Sequence, residues 1–262
     1  MNLLKSQIDI ACERLKLTEM PQRLDQVAET ASRSELSYSE FLLRLLEAEV
    51  SAANERATAA LMRFASLPYH KTLEDFDFAF QKSIDKRQIR ELATLTFLEH
   101  YENLIFIGPP GVGKTHLAVA LAIAAAGARH RVKFTTLTDM VSSLQRAFEA
   151  GNLAQRLQVY TKPRLLVIDE VGFLPLDRHQ ASLFFQVVCR RYERGSIILT
   201  SNKSYGAWAE IFSGDDVIAA AILDRLLHHS NTISIRGESY RLREKKKAGL
   251  IGTGGDNVKT EA

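Results

Sequence analysis

The segment Gly108-Pro-Pro-Gly-Val-Gly-Lys-Thr115 constrains the fold of this 262-residue chain more than any other feature. It fits the pattern G-x-x-x-x-G-K-[ST], and it stands between a predicted strand at 103–107 and an alanine-rich predicted helix at 114–126. Its glycines allow successive backbone N–H groups to face one concavity, and the helix N-terminus adds partial positive charge. In this context a plain glycine-rich turn is the disfavoured alternative. The segment predicts a phosphate-binding loop, in which Lys114 reaches the terminal phosphates of a nucleotide and the Thr115 hydroxyl binds a magnesium ion.

After residue 68, short apolar segments alternate with helical patterns. The predicted strands are 103–107, 132–137, 164–168, 196–200 and 232–235, and the predicted helices are 114–126, one that begins at 138, 177–191 and 215–229. Strands that alternate with helices indicate a parallel sheet that is covered on both faces. We therefore predict an α/β fold for this part of the chain.

The first 67 residues contain no glycine and have helical patterns. One helix is predicted at 3–17, and Ser37 and Glu40 have the spacing of a capping box for another that ends before Pro68. So few helices bury little surface, and no cluster of chemically active side chains lies among them. We predict a small all-helical domain at 1–68 that binds a partner or DNA, a nucleotide-binding core at 69–247 and a flexible tail at 248–262.

Two acidic residues follow the apolar strand in Leu165-Leu-Val-Ile-Asp-Glu170. The carboxyl ends of strands in a doubly wound sheet form the edge where ligands bind. Such a strand end is common by itself, but together with the phosphate loop it favours catalysis. We expect Asp169 to hold Mg²⁺ through its water shell and Glu170 to polarise the attacking water.

Two further residues have both structural and catalytic interpretations. Asn202 follows the predicted strand at 196–200, where asparagine is commonly a turn former, but it could also be directed at the γ-phosphate or the water. Arg225 lies on an amphipathic helix, where an arginine is commonly a solvated surface charge. Its alternative role is an arginine finger that stabilises phosphate charge in the transition state. Local patterns leave both questions open.

Positive charge is concentrated in the larger part of the chain. Residues 71–262 hold 26 Lys and Arg against 21 Asp and Glu, and the densest stretch is 236–247. Such a cluster either aids solubility or contacts nucleic acid. The candidate DNA-binding residues, which all lie in this stretch, are Arg241, Arg243, Lys245, Lys246 and Lys247.

Composition excludes several classes of protein. The longest apolar run falls well short of the ~18 residues that a membrane span requires. Asp9 and Glu13 lie where a signal peptide would need apolar residues, and two cysteines cannot form a disulfide framework or a four-ligand zinc site. We expect a cytoplasmic protein without a membrane partner.

Together these motifs resemble AAA+ ATPases of the helicase-loader clade, and most closely the IstB-like transposition helper proteins of bacterial insertion sequences. The resemblance extends from about residue 73 to 243. The widely shared motifs are Leu73-Glu-Asp-Phe-Asp-Phe, the phosphate loop ending Gly-Lys-Thr-His-Leu-Ala, Leu166-Val-Ile-Asp-Glu with Gly172-Phe-Leu-Pro-Leu, and Leu199-Thr-Ser-Asn. The more specific motifs are Leu223-Asp-Arg-Leu-Leu-His-His and Gly237-Glu-Ser-Tyr-Arg-Leu-Arg.

This resemblance implies a role for each candidate residue. Asp169 and Glu170 would form Walker B, Asn202 would be sensor 1, and Arg225 would be a finger that reaches a neighbouring subunit's nucleotide. Walker A and its flanking residue would be Gly108, Pro109, Pro110, Gly111, Val112, Gly113, Lys114, Thr115 and His116. The cofactors would be ATP and Mg²⁺, with Thr115 and Asp169 as the metal site.

The same resemblance implies a homo-oligomer that assembles with ATP on duplex DNA and assists a transposase in the bacterial cytoplasm. After Ile235 too little chain remains for a full helical lid, so no sensor 2 arginine is assigned, and the completion of the pocket stays open.

The nearest alternative function is a replicative helicase loader of the DnaC type. A monomeric phosphotransferase would need an arginine-rich lid, and a purely structural DNA-binding protein would not need Lys114, Asp169 and Glu170 intact.

Overall fold

The computed structural model describes residues 3–247, so the predicted tail at 248–262 lies outside the described residues. The chain divides into two compact units, Met1–Ala60 and Leu61–Ala262. The described helices are α1 Leu3–Leu15, α2 Met20–Arg33, α3 Tyr38–Ala65, α4 Lys86–Leu92, α5 Thr96–Glu99, α6 Lys114–Gly127, α7 Leu137–Glu149, α8 Leu153–Thr161, α9 Arg178–Arg191, α10 Trp208–Ile211, α11 Asp216–Leu227 and α12 Tyr240–Lys247. The described strands are β1 Asn103–Ile107, β2 Val132–Thr136, β3 Leu165–Val171, β4 Ser196–Ser201 and β5 Ser230–Ser234.

The first unit consists of α1, α2 and most of α3, as the absence of glycine predicts. Ser37 and Glu40 form the expected capping box, because the Ser37 N–H donates to the Glu40 carboxylate at 2.8 Å and the Glu40 N–H donates to Ser37 Oγ at 3.3 Å. Among residues 3–60 only Cys12, Leu45 and Glu49 are buried. This unit therefore has very little core of its own.

Glu49 is the buried charge of this helical unit. Its carboxylate accepts from the backbone N–H groups of Glu19 and Met20, at 2.6 and 3.2 Å, at the start of α2. Thr18 Oγ1 and Arg56 Nη2 also donate to it, at 3.5 and 3.0 Å. Burial alone would raise the pKa of Glu49, but these hydrogen bonds hold it at about 2, against an ordinary value of 4.5. The carboxylate thus fixes α2 against α3.

The second unit contains a five-stranded sheet in the order β2-β3-β4-β1-β5. Every neighbouring pair is parallel, so the predicted α/β fold is confirmed. Strand β5 begins two residues earlier than the pattern predicts, because its polar sequence Ser-Asn-Thr-Ile-Ser lies at the sheet edge and pairs only with β1. Strands β1 to β4 lie where apolar segments predicted them.

Helices cover both faces of the sheet, as predicted. On one face Leu104 and Phe106 of β1 join a core cluster with α4, α5 and α6. On the other face Ile105 joins a cluster with α7, α8, α9 and α11. The alternation of side chains along β1 accounts for the two layers. Within residues 3–247, every helix is too short or too polar to span a bilayer.

Candidate active site

The phosphate loop lies between β1 and α6, and its glycines are required by close contacts. Gly111 and Gly113 have φ values of +82° and +102°, which favour glycine. A Cβ at Gly113 would lie 2.6 Å from the Phe76 ring, and a Cβ at Gly108 would lie 2.2 Å from the Ile235 carbonyl oxygen. The loop therefore packs closely against Phe76 and against Ile235. Helix α6 begins at the end of the loop. Such a backbone cradle suits a chain of phosphates.

Lys114, the first residue of α6, folds back over this loop. Its ammonium donates to the carbonyl oxygens of Gly108 at 2.7 Å and Pro109 at 2.8 Å. Burial lowers the pKa of the Lys114 ammonium, and the nearby Asp169 carboxylate partly opposes that shift. The lysine thus provides a partly desolvated positive charge at the phosphate loop.

Two threonines hold the carboxylate of Asp169 at the end of β3. Thr115 Oγ1 donates to Asp169 Oδ1 at 3.0 Å, and the Thr200 hydroxyl donates to the same oxygen. Asp169 is 5% exposed, so its carboxylate is fixed at the base of the site. Oxygen donors from Thr115 and Asp169 are the ligand type that Mg²⁺ prefers, and the residues present fit that ion.

Glu170 is positioned by an irregularity in β3. The pairing of β3 with β4 shifts register between Ile168 and Val171, and Glu170 within that shift has a φ of +61°. A bulge of this kind changes the direction of a side chain at a strand end. The Glu170 N–H donates to Thr200 Oγ1 at 3.2 Å, while its side chain is exposed. The bulge therefore places one acid in the core and the next at the surface.

Asn202 follows β4 directly and lies beside the turn after Glu170. A Cβ on Gly172 would lie 3.2 Å from Asn202 Oδ1, so glycine at that position leaves room for the amide. Strands β3 and β4 are parallel neighbours, so their carboxyl ends meet at one edge of the sheet. The structure thus brings Asn202 and the two predicted acids together, as the strand ends indicated.

A cavity of about 300 Å³ opens over the loop. Its lining includes the predicted residues 111–116 and three residues that the sequence did not identify, Tyr69, Lys71 and Gln81. It also includes Tyr240 and Arg241, which the sequence analysis did not place at the nucleotide. Burial and the Asp169 charge raise the pKa of Tyr69, so its phenol stays protonated at neutral pH. His116 also lines this cavity. Its Nε2 lies 2.9 Å from the Thr72 carbonyl oxygen.

Helix α12 lies over part of this cavity, since Tyr240 and Arg241 line it. The Tyr240 N–H donates to the Gly111 carbonyl at 3.0 Å. Arg243 lies 3.5 Å from the Asp77 carboxylate and 4.5 Å above the Phe80 ring. Arg241, predicted to bind DNA, lines this cavity together with Lys114. Lys245 is exposed, and the side chains of Lys246 and Lys247 lie outside the described residues.

Arg225 lies near the amino-terminal ends of the strands, whereas the phosphate loop lies at their carboxyl-terminal ends. The next residue, Leu226, accepts through its carbonyl from Asn103 Nδ2 at 3.0 Å, and Asn103 is the first residue of β1. The loop begins after Ile107, so the length of β1, roughly 13 Å, separates the two. The Arg225 guanidinium lies 5.0 Å above the Phe185 ring, and Nη1 donates to the Ala221 carbonyl.

The site contains one further residue for which the sequence offered a weak signal. Thr200 connects Asp169 and Glu170, and it follows the three apolar residues Ile-Ile-Leu of β4. A threonine has high strand propensity, so its presence there did not by itself indicate a contact with an acid.

Comparisons with known proteins agree with this geometry. Residues 10–248 match the family described as IstB-like ATP binding protein. An ATP-binding protein of insertion sequence IS5376 from Geobacillus stearothermophilus is 50% identical over 93% of this chain and 96% of its own length. One from insertion sequence IS21 of Pseudomonas aeruginosa is 48% identical over 94% of this chain and 92% of its own length.

Solved structures show the same fold at low identity. AMPPCP-bound DnaA from Aquifex aeolicus has a TM-score of 0.55 at 20% identity, covering 72% of this chain and 57% of that chain. The DnaC helicase loader has a TM-score of 0.51 at 24% identity, covering 66% of this chain and 99% of that chain. The resemblance in the sequence motifs is thereby confirmed: the chain belongs to the family described as IstB-like ATP binding protein.

Proposed function

We propose that this protein hydrolyses ATP with Mg²⁺, assembles on duplex DNA in its ATP-bound state and assists a transposase in insertion-sequence transposition. Its family and its relatives' names support ATP binding and the insertion-sequence context. Hydrolysis, assembly and the two macromolecular partners are the proposed steps.

Hydrolysis is supported by the arrangement at the end of β3. Thr115 and Asp169 would hold the magnesium ion, which would neutralise charge on the β- and γ-phosphates when bound. Glu170 would accept a hydrogen bond from the attacking water and orient it. Asn202, beside the same turn, would orient either the water or the γ-phosphate.

The nucleotide pocket would be completed by the chain's own C-terminal segment. Arg241 lines the cavity next to Lys114, so a bound polyphosphate would lie between two cations. We therefore propose Arg241 as a nucleotide-binding residue in place of its predicted DNA contact. Arg243 would hold α12 in position through Asp77.

The position of Arg225 is the observation that carries the proposal of assembly. The residue is separated from its own phosphate loop by the length of β1, and an arginine side chain is shorter than that separation. The guanidinium would instead reach the phosphates of a neighbouring subunit. Hydrolysis would then depend on assembly, because the charge of the transition state is stabilised only where two subunits adjoin.

A mixing experiment tests this arrangement. Arg225→Ala and Lys114→Ala should each reduce ATP turnover strongly, and an arginine finger supplied in trans contributes roughly 10³–10⁵ in rate. When the two variants are mixed with ATP and duplex DNA, hydrolysis should return at interfaces that pair an intact loop with an intact finger.

The exposed Arg190, on α9, provides the control, since Arg190→Ala should retain full turnover. A mixture that never recovers activity would contradict action across a subunit boundary.

A second experiment separates transposition from helicase loading. The transposase or a replicative helicase is added to the ATP-bound assembly, and only the true partner should bind the assembly and change its ATP turnover.

A further inference from the structure

Two histidines and a glutamate meet at the amino-terminal ends of the strands, away from the nucleotide site. Glu193 lies in the turn between α9 and β4, and His228 and His229 connect α11 to β5. One ring nitrogen of each histidine and one carboxylate oxygen of Glu193 all lie within 4.8 Å of one another. In the part of the chain that the structure describes, no other three histidine, cysteine or acidic side chains are grouped in this way.

The end of α11 brings the two imidazole rings together. Neighbouring residues inside a helix project about 100° apart, so adjacent histidines in a helix normally point away from each other. His228 continues the helical path, and its N–H donates to the Asp224 carbonyl at 3.1 Å, whereas His229 already leads into β5. The ring centroids therefore lie only 4.2 Å apart, with the planes inclined by 65°. One nitrogen of each ring can thus approach the same ion.

The turn after α9 supplies a carboxylate and a supporting hydroxyl group. Glu193 Oε1 lies 4.0 Å from His229 Nε2. The Tyr192 hydroxyl forms a hydrogen bond with His228 Nδ1 at 3.0 Å, which leaves Nε2 of that ring available for a metal ion. Histidines that bind metals commonly form such a hydrogen bond through the second ring nitrogen, because it fixes the orientation of the ring.

We infer that Glu193, His228 and His229 form a binding site for a divalent transition-metal ion of the zinc type. Two imidazoles and a carboxylate are a ligand set that zinc takes in proteins, with water in the fourth position, whereas Mg²⁺ prefers oxygen ligands alone. Ligand atoms around a tetrahedral zinc ion lie roughly 3.3 Å apart, so the three side chains must close by about 1.5 Å at most. The side chains of His229 and Glu193 are 54% and 58% exposed, so they have room to make this movement.

This site adjoins Arg225. His228 follows Arg225 by three residues on the same helical path, so the two side chains are neighbours on one face of the helix. Burial and the charges of Glu193 and Asp224 raise the pKa of Tyr192, and the Arg225 charge opposes that shift, so these charges surround the Tyr192 hydroxyl. A bound dication would repel the neighbouring guanidinium. Under the proposed function, in which Arg225 acts on the nucleotide of another subunit, zinc binding therefore lowers ATP turnover.

A zinc titration of the untagged, nucleotide-free protein tests the site directly. His229→Ala removes one ligand. His179→Ala is the matched control, because His179 is exposed in the first turn of α9, roughly 20 Å along that helix from the turn that holds Glu193. Competition with a chromophoric chelator measures the dissociation constant for zinc, and thermal melting verifies that each variant is folded.

The wild type and His179→Ala should bind one zinc ion with similar affinity. His229→Ala should bind zinc at least roughly 100-fold more weakly, because loss of a residue that only orients a ligand already costs 10–100-fold. Tyr192→Phe, which removes only the supporting hydroxyl, should weaken binding by about 10-fold. Equal zinc affinity in His229→Ala and His179→Ala would overturn the assignment of the metal site.

ATP turnover with Mg²⁺ is then compared with and without enough zinc to fill the site. Zinc should lower the turnover of the wild type and of His179→Ala, and this loss should be absent in His229→Ala. The same loss in all three proteins would overturn the effect on Arg225, although the titration would still decide the metal site. A wild-type protein that binds zinc but hydrolyses no ATP would overturn the proposed function and leave the metal site standing.

Discussion

Among residues 3–60 three side chains are buried, whereas in the second unit an apolar layer covers each face of a five-stranded sheet. Large apolar side chains remain exposed in the helical unit: Leu3, Leu4, Ile10, Leu15, Tyr38, Leu42, Leu43, Leu46 and Val50. The sheet unit can therefore fold around its own core, while the helical unit depends on a few specific contacts.

The same contrast separates the roles of carboxylates in the two units. Glu170 lies exposed at a strand end above a complete core, so its charge is available for chemistry. Glu49 is buried and accepts four hydrogen bonds, so its charge is used for structure. Removal of the Glu170 charge should therefore change the rate of ATP hydrolysis, whereas removal of the Glu49 charge should lower the stability of the helical unit.

The largest effect is expected at Glu170. Glu170→Gln should lower the rate of ATP hydrolysis by roughly 10²–10⁴, because an amide cannot accept the proton of the attacking water. The melting temperature and ATP affinity should stay close to those of the wild type. Turnover and nucleotide binding are measured side by side, with the exposed Glu91→Gln as control. Near-normal turnover in Glu170→Gln would show that another residue orients the attacking water.

A smaller effect, on stability, is expected at Arg191. This side chain is 1% exposed and donates to the carbonyl oxygens of five residues, which are Tyr160, Thr161, Pro163, Arg164 and Ser196. Burial, with a smaller contribution from the Arg164 charge, lowers its pKa to about 9, so it stays charged at neutral pH. Arg191→Met should lower the free energy of unfolding by at least about 3 kcal/mol, since buried carbonyls lose their donors.

Chemical denaturation measures this loss, and Arg190→Met on the exposed side of the same helix is the matched control. Equal stability of the two variants would show that the carbonyls find other donors.

The smallest effect is expected at Glu49. Glu49→Gln should destabilise the helical unit by about 1–3 kcal/mol and leave ATP turnover by the sheet unit unchanged. Because the pKa of Glu49 is held at about 2 in the folded state, its stabilising contribution is complete above its ordinary value of 4.5 and is lost as pH falls toward 2.

Amide hydrogen exchange, resolved by segment between pH 3 and 6, measures stability in residues 3–60. Glu47→Gln, at an exposed position of α3, is the control and should retain the wild-type pH profile. The same pH dependence in Glu49→Gln as in the wild type would rule out this carboxylate as its cause.

Sequence patterns predicted the sheet unit well because its signals are local. An apolar strand that ends in acids and a glycine-rich loop before a helix each specify a conformation, so 103–107 and the start of α6 lie where they were expected. The position of Arg241 depended on a contact between Tyr240 and Gly111, which are 129 residues apart, and no local pattern encodes such a contact. The role of Thr200 was hidden for the same reason, since it requires the pairing of β3 with β4.

The backbone of Glu170 sets folding and catalysis against each other. At a φ of +61° a glycine would be more stable than glutamate by roughly 1–2 kcal/mol, since only glycine adopts that region without a steric penalty. A stable fold alone would favour glycine at this position, but glycine would remove the carboxylate that we propose as the partner of the attacking water. Under the proposed function, the glutamate at position 170 therefore carries a cost in backbone stability in exchange for its contact with the attacking water.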